Sequence, residues 1–110
     1  MERFVKGEVL VVSFPYSDMS KEVLRPALVI TTLKGEDVML APITSKKRGE
    51  KNTLILNNED FQIGSLKRVS YIRLGKIITL HISRVKHKVG ILKENKVEEI
   101  YQKLCEMFEK

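Results

Sequence analysis

An arginine and a threonine have the most chemistry to offer in this sequence. Leu24-Arg25-Pro26 stands where a polar stretch gives way to an apolar run. Proline disfavours the helical conformation in the residue before it, so Arg25 is held extended and its guanidinium leaves the chain from a fixed point at the rim of a sheet. The planar fork of donors grips two phosphate oxygens and stays charged at any physiological pH. A rim arginine here would equally serve as the ion-pair partner of Asp18 or Glu22. Thr44 follows Pro42 by two positions, and its hydroxyl either donates to a phosphate oxygen or serves packing and capping. Metal chemistry finds no footing, because His81 and His87 lie six positions apart in a basic segment and the lone Cys105 falls on an apolar face. Neither a Gly-x-Ser-x-Gly elbow nor a Gly-rich phosphate loop is present.

Charge narrows the class of ligand. The chain carries a formal +6, and its distribution is uneven. From Phe61 to Lys93 there are eight lysines and arginines and no Asp or Glu, so that third contributes +8 and the remainder −2. A field of one sign concentrates polyanions, which makes RNA, DNA or an acidic protein the natural partners; a solvated basic face with no partner is the plain alternative.

The elements that must position these residues follow from turns between short apolar runs. At 110 residues and 43% hydrophobic, residues 1–110 are expected to form a single domain with a modest core. One unpaired cysteine and an N-terminus without a signal-length apolar run fit a reducing cytoplasm, and no stretch approaches the roughly 20 apolar residues of a membrane span. Glu8 to Phe14, rich in β-branched residues after Gly7, reads as a mostly buried strand. Pro15 to Glu22 reads as a loop able to fold over a substrate. Pro26 to Thr32 and Asp37 to Ala41 flank Lys34-Gly35-Glu36 as a hairpin. Pro42 is expected to end regular pairing, placing Ile43-Thr44-Ser45 at a sheet end before a loop from Lys46 to Asn52. Thr53 to Leu56 and Val69 to Arg73 read as strands, with a helical turn between them capped by Asn57 or Asn58. Lys76 to Arg84 suits strand or short helix alike. Asn95 is expected to cap a terminal helix whose apolar face is Val97, Ile100, Tyr101, Leu104, Cys105 and Phe108. Five or six short strands and one helix, without βαβ alternation, predict a mainly β fold of the α+β class, a small curled sheet or barrel.

Four blocks in order, Gly7-Glu-Val-Leu-Val-Val-Ser-Phe-Pro-Tyr-Ser-Asp18, Leu24-Arg-Pro-Ala-Leu-Val-Ile30, Leu40-Ala-Pro-Ile-Thr-Ser45 and Tyr71-Ile-Arg-Leu-Gly-Lys-Ile-Ile-Thr-Leu-His81, resemble the successive blocks of the MazF/PemK toxin family. The likeness runs from Gly7 to about Leu92, and the terminal helix matches only in kind. It implies a small SH3-like antiparallel barrel (MazF/CcdB-like) with a C-terminal helix, a homodimer, and a metal-independent endoribonuclease without cofactor. In such enzymes the RNA 2′-hydroxyl attacks the neighbouring phosphorus and leaves a cyclic phosphate and a 5′-hydroxyl. The site implied is Arg25 and Thr44, which suits a reaction whose transition state needs donors rather than a carboxylate pair.

The resemblance makes the first loop part of an RNA channel, with Phe14, Tyr16, Ser17 and Asp18 expected at bases. Ser45, Lys46, Arg48, Arg68 and Arg73 are expected along single-stranded mRNA, the cations tracking phosphates. It also implies an acidic, partly disordered antitoxin neutralising the basic face from Lys67 to Lys88. This chain departs from many relatives in having no tryptophan and no run of small residues between Asp18 and Arg25. Two rivals share the fold or the charge: a gyrase-inhibiting toxin of the CcdB type and a non-catalytic RNA-binding module.

Overall fold

A computed structural model describes residues 4–14 and 22–109. Eight strands appear among these: β1 (Glu8–Phe14), β2 (Val23–Thr32), β3 (Asp37–Thr44), β4 (Thr53–Leu56), β5 (Phe61–Gly64), β6 (Ser70–Arg73), β7 (Ile78–His81) and β8 (Val85–Leu92), followed by helix α1 (Glu94–Phe108). All pairs are antiparallel, in the order β4-β6-β3-β2-β1-β8-β5, with β7 beside the first half of β3. The result is a curled antiparallel half-barrel with a C-terminal helix.

The central strands are apolar without alternation because both their faces are covered. Val9, Leu28, Ile30, Ala41 and Ile43 pack with Ile72, Ile100 and Leu104 on one side. Leu10, Val12, Ala27, Val29 and Leu40 pack with Phe14, Val38 and Leu80 on the other. Successive residues of β1 and β2 thus serve two cores, as the twofold period of a strand requires.

Pro42 does not end β3, which runs on to Thr44. The strand changes partners there: Leu40↔Ile78 is the last pair with β7 and Ile43↔Ile72 the first with β6, so Ala41 and Pro42 fall between two ladders on that edge. A residue without an N–H is tolerated at such a junction. Lys76 to Arg84, open between strand and helix, contains both, as the end of a 3-10 turn over Leu74–Lys76, β7, and a second 3-10 turn over Ile82–Arg84. β5 and β8 were not anticipated from the sequence, β8 because Lys86, His87 and Lys88 are exposed and break the apolar pattern.

The helix begins at Glu94 with Lys93 in the cap position, not Asn95. Val97, Ile100, Tyr101 and Leu104 of the expected face pack against the core, and Lys96 is buried in the same stripe. Cys105 is exposed, and Phe108 on the last turn is 81% exposed. Lys96, only 5% exposed, is tolerated in this stripe because its ammonium meets Glu99 at 3.1 Å and Asp60 at 3.6 Å. Asp60 also accepts the Asn57 backbone N–H at 2.8 Å, closing the expected turn over Asn58–Asp60. Asp60→Ala is therefore expected to cost about 1–3 kcal/mol in urea unfolding, since it strips a helix ammonium and a turn amide of one shared acceptor. A midpoint unchanged by the substitution would show that Glu99 suffices alone.

Candidate functional site

The groove of interest forms where two ladders part. β2 and β3 are paired from Thr32↔Val38 to Ala27↔Pro42 and no further. Beyond that point β2 stays with β1, through Val11↔Pro26 and Val12↔Arg25. β3 instead continues with β6, through Ile43↔Ile72 and Thr44↔Tyr71. The gap becomes a groove of roughly 410 Å³ with Arg25 on one bank and Thr44 on the other. Continuing the register two residues past Ala27↔Pro42 sets Arg25 opposite Thr44 on the same face of the sheet.

Arg25 is exposed, and its Nη1 donates to the Leu24 carbonyl oxygen at 3.1 Å, which steadies the guanidinium and leaves most of its donors to a ligand. Thr44 Oγ1 accepts the Lys46 backbone N–H at 3.1 Å. That bond orients the oxygen and leaves its proton to donate. Lys46, Arg48, Lys67 and Arg68 also line the groove, together with Ser45, and among the described residues no Asp or Glu does. Five cations facing one concavity favour an anion there, the more so because its apolar rim, including Leu24 and Leu66, lowers the local dielectric.

The other expected contacts fall elsewhere. Phe14, expected at a base, is 3% exposed and packed in the second core, so it has no face to offer. Its place at the end of β1 in the inward register decides this. Arg73 stands outside the groove lining, holding Glu50 through Nε at 2.9 Å and Nη2 at 2.8 Å. Tyr16, Ser17 and Asp18 lie outside the described residues. The basic stretch divides: Lys67 and Arg68 enter the groove, while Lys86 and Lys88 line a separate cavity and pair with Glu22 at 3.7 Å and Glu8 at 3.1 Å. Lys67 was not singled out among the expected contacts; its position beside Arg68 was the available signal.

The Arg73 to Glu50 pair fastens the loop that carries Lys46 and Arg48. Hydrogen bonding from Arg73, assisted by its charge, holds the Glu50 carboxyl below its ordinary value of 4.5. A lowered folded-state value means that the pair stabilises the loop above about pH 4.5 and releases it as pH falls through the lower folded value. Amide exchange of residues 46–52, corrected for intrinsic rates, is therefore expected to speed up on acidification below that point. Glu50→Gln should remove the pH dependence; identical profiles for the two proteins would refute the anchoring role.

A half-barrel whose sheet divides around a cation-lined groove is a small β domain whose charge suits an anionic ligand. The family model described as PemK-like, MazF-like toxin of type II toxin-antitoxin system matches residues 5–108, and the chain belongs to that family. The fold is similar to that of Mycobacterium tuberculosis toxin MazF-mt6, at 17% identity and TM-score 0.72, covering 93% of this chain and 96% of that one. It is also similar to an endoribonuclease solved in complex with its cognate antitoxin from mycobacterial species, at 16% identity and TM-score 0.70, covering 94% and 91%. No curated protein matches the chain by sequence. Among the described residues no group of three or more His, Cys, Asp or Glu gathers as a metal site, and no helix is long and apolar enough to cross a membrane.

Proposed function

We propose that this protein is a toxin endoribonuclease that cuts single-stranded mRNA without a metal, acting in the cytoplasm as a homodimer of single-domain chains. The observation that carries the reading is Arg25 and Thr44 on opposite banks of one groove, with four further cations and, among the described residues, no carboxylate along it. The substrate's 2′-oxygen forms a bond to phosphorus and loses its proton, while the bond from phosphorus to the 5′-oxygen breaks and that oxygen takes up a proton. The products are a 2′,3′-cyclic phosphate and a 5′-hydroxyl. Charge accumulates on the non-bridging oxygens during this step, and Arg25 and the Thr44 hydroxyl are the donors placed to meet it. The similar fold of the mycobacterial endoribonuclease supports the same reading.

Incubation with a long single-stranded RNA in excess chelator tests it. New ends carrying 5′-hydroxyl and cyclic phosphate are expected. Intact RNA, or cutting only after a divalent ion is restored, would overturn the proposal and make DNA gyrase inhibition the next assay. Phosphate tracking gives a second expectation: affinity for an uncleavable oligonucleotide should fall with salt at a log-log slope of roughly −3, for four or five neutralised phosphates on a single strand. Lys67→Ala should make that slope shallower by about 0.7. We assign the same cation-lined face to an acidic antitoxin; a relative's complex with its cognate antitoxin and the complementary charge support this.

A further inference from the structure

A second cavity, roughly 320 Å³, adjoins the groove and shares Thr44, Lys46 and Arg48 with it as a common wall. Its floor is the outer face of the divided sheet. Thr44 is the register partner of Tyr71, and Tyr71 of Ile55, so the three side chains stand in one row across β3, β6 and β4. Their neighbours Ile43 and Ile72 are 1% and 0% exposed and face the core, which leaves Tyr71 and Ile55 on the open side, Ile55 at 47% exposure. The loop from Lys46 to Glu50 forms the opposite wall, and the bidentate Arg73 to Glu50 pair holds it in place. That pair also neutralises the charge at the far end. Passing from Arg25 through Thr44 to Tyr71, the floor therefore changes from cationic and polar to aromatic and apolar, while Lys46, Lys47 and Arg48 on the loop keep the facing wall cationic and able to hold the phosphates that flank a base.

A nucleotide has the same sequence of surfaces: an anionic phosphate, then a flat base on one side of it. We propose that the second cavity is a base-binding subsite in which Tyr71 stacks a nucleobase adjoining the phosphate held at Arg25 and Thr44. The inference rests on the RNA-cleaving reading of the groove and adds to it the residue that grips a base. Unpaired RNA bases are readily splayed onto aromatic side chains, and such stacking tolerates base identity. Tyr71 thus supplies grip, while the Thr53 hydroxyl and the backbone of the 46–50 loop are the polar groups at hand to read a base edge.

Tyr71→Ala should raise KM for a short single-stranded RNA roughly 5- to 100-fold with kcat little changed, whereas Tyr71→Phe, which keeps the ring, should restore KM to within about 2-fold. Replacing one base beside the cut by an abasic residue should erase the difference between wild type and Tyr71→Ala, and no other abasic position should. A 2-aminopurine walked through an oligonucleotide made uncleavable by 2′-O-methylation should be quenched at one position by wild type and Tyr71→Phe, and not by Tyr71→Ala. Unchanged KM in Tyr71→Ala, equal losses in the Phe and Ala variants, or quenching that survives without the ring would overturn the subsite. If wild type leaves every RNA intact, the reading of the reaction fails by itself, and the uncleavable oligonucleotide still decides whether Tyr71 stacks a base.

Discussion

Arg25→Ala should lower the rate of RNA cleavage by about 10²–10³-fold, the loss found when one preorganised donor to a developing oxyanion is removed. The change is expected in kcat more than in KM, because Lys46, Arg48, Lys67 and Arg68 still hold the substrate's phosphates. Stability should be almost untouched: the side chain is exposed and bonds the carbonyl oxygen of its own neighbour, Leu24. Arg25→Lys keeps the charge but not the planar fork, so it should fall between wild type and alanine. Initial rates under saturating RNA, with thermal melting of each variant, check all three statements. An alanine variant within about 2-fold of wild type would move the transition-state contact elsewhere in the groove.

The second large effect is on folding. Gly64 of β5 and Gly90 of β8 are register partners, and the two backbones approach closely at that pair. A Cβ on Gly90 would stand 2.1 Å from the Ile63 carbonyl oxygen, and one on Gly64 would stand 2.1 Å from the Val89 carbonyl oxygen. Backbone atoms cannot step aside as a side-chain end can, and Gly64 also has a φ of +87°. Gly90→Ala and Gly64→Ala are each expected to cost about 3 kcal/mol or more, a drop in Tm on the order of 10–20 °C for a domain of this size. Gly35→Ala separates the causes. Its φ of +82° is similar, but a Cβ there meets nothing within 4 Å, so only the conformational cost of about 1–2 kcal/mol should appear. Equal losses at Gly35 and Gly90 would show that close approach contributes little.

What could be read directly depends on how local the cause is. β1 and β4 lie where their runs of β-branched and apolar residues predict them, over Glu8–Phe14 and Thr53–Leu56, because strand propensity there is local to the run. The hairpin joining β2 and β3 was equally legible from Gly35 between two apolar runs. β8 was not, since a strand whose consecutive Lys86, His87 and Lys88 are all exposed carries no apolar signature of its own. Its place beside β1 is set by the partner. The helix face was legible in Val97, Ile100, Tyr101 and Leu104, but not in Lys96, whose burial depends on Glu99 and on Asp60, which arrives from another turn of the chain.

For the groove, the sequence by itself determined the kinds of group available: an arginine held extended by Pro26, a threonine beyond Pro42, a basic third of the chain, and the family blocks that contain them. The tertiary structure alone decided which of these share a space. Arg25 and Thr44 meet because the β2 and β3 ladder stops at Ala27↔Pro42 and each strand leaves with a different partner, whereas Phe14 and Arg73 are taken by the core and by Glu50. The physical reason is that residue types are local, but a groove is the gap between two ladders, and where ladders part depends on pairings between residues far apart in the chain.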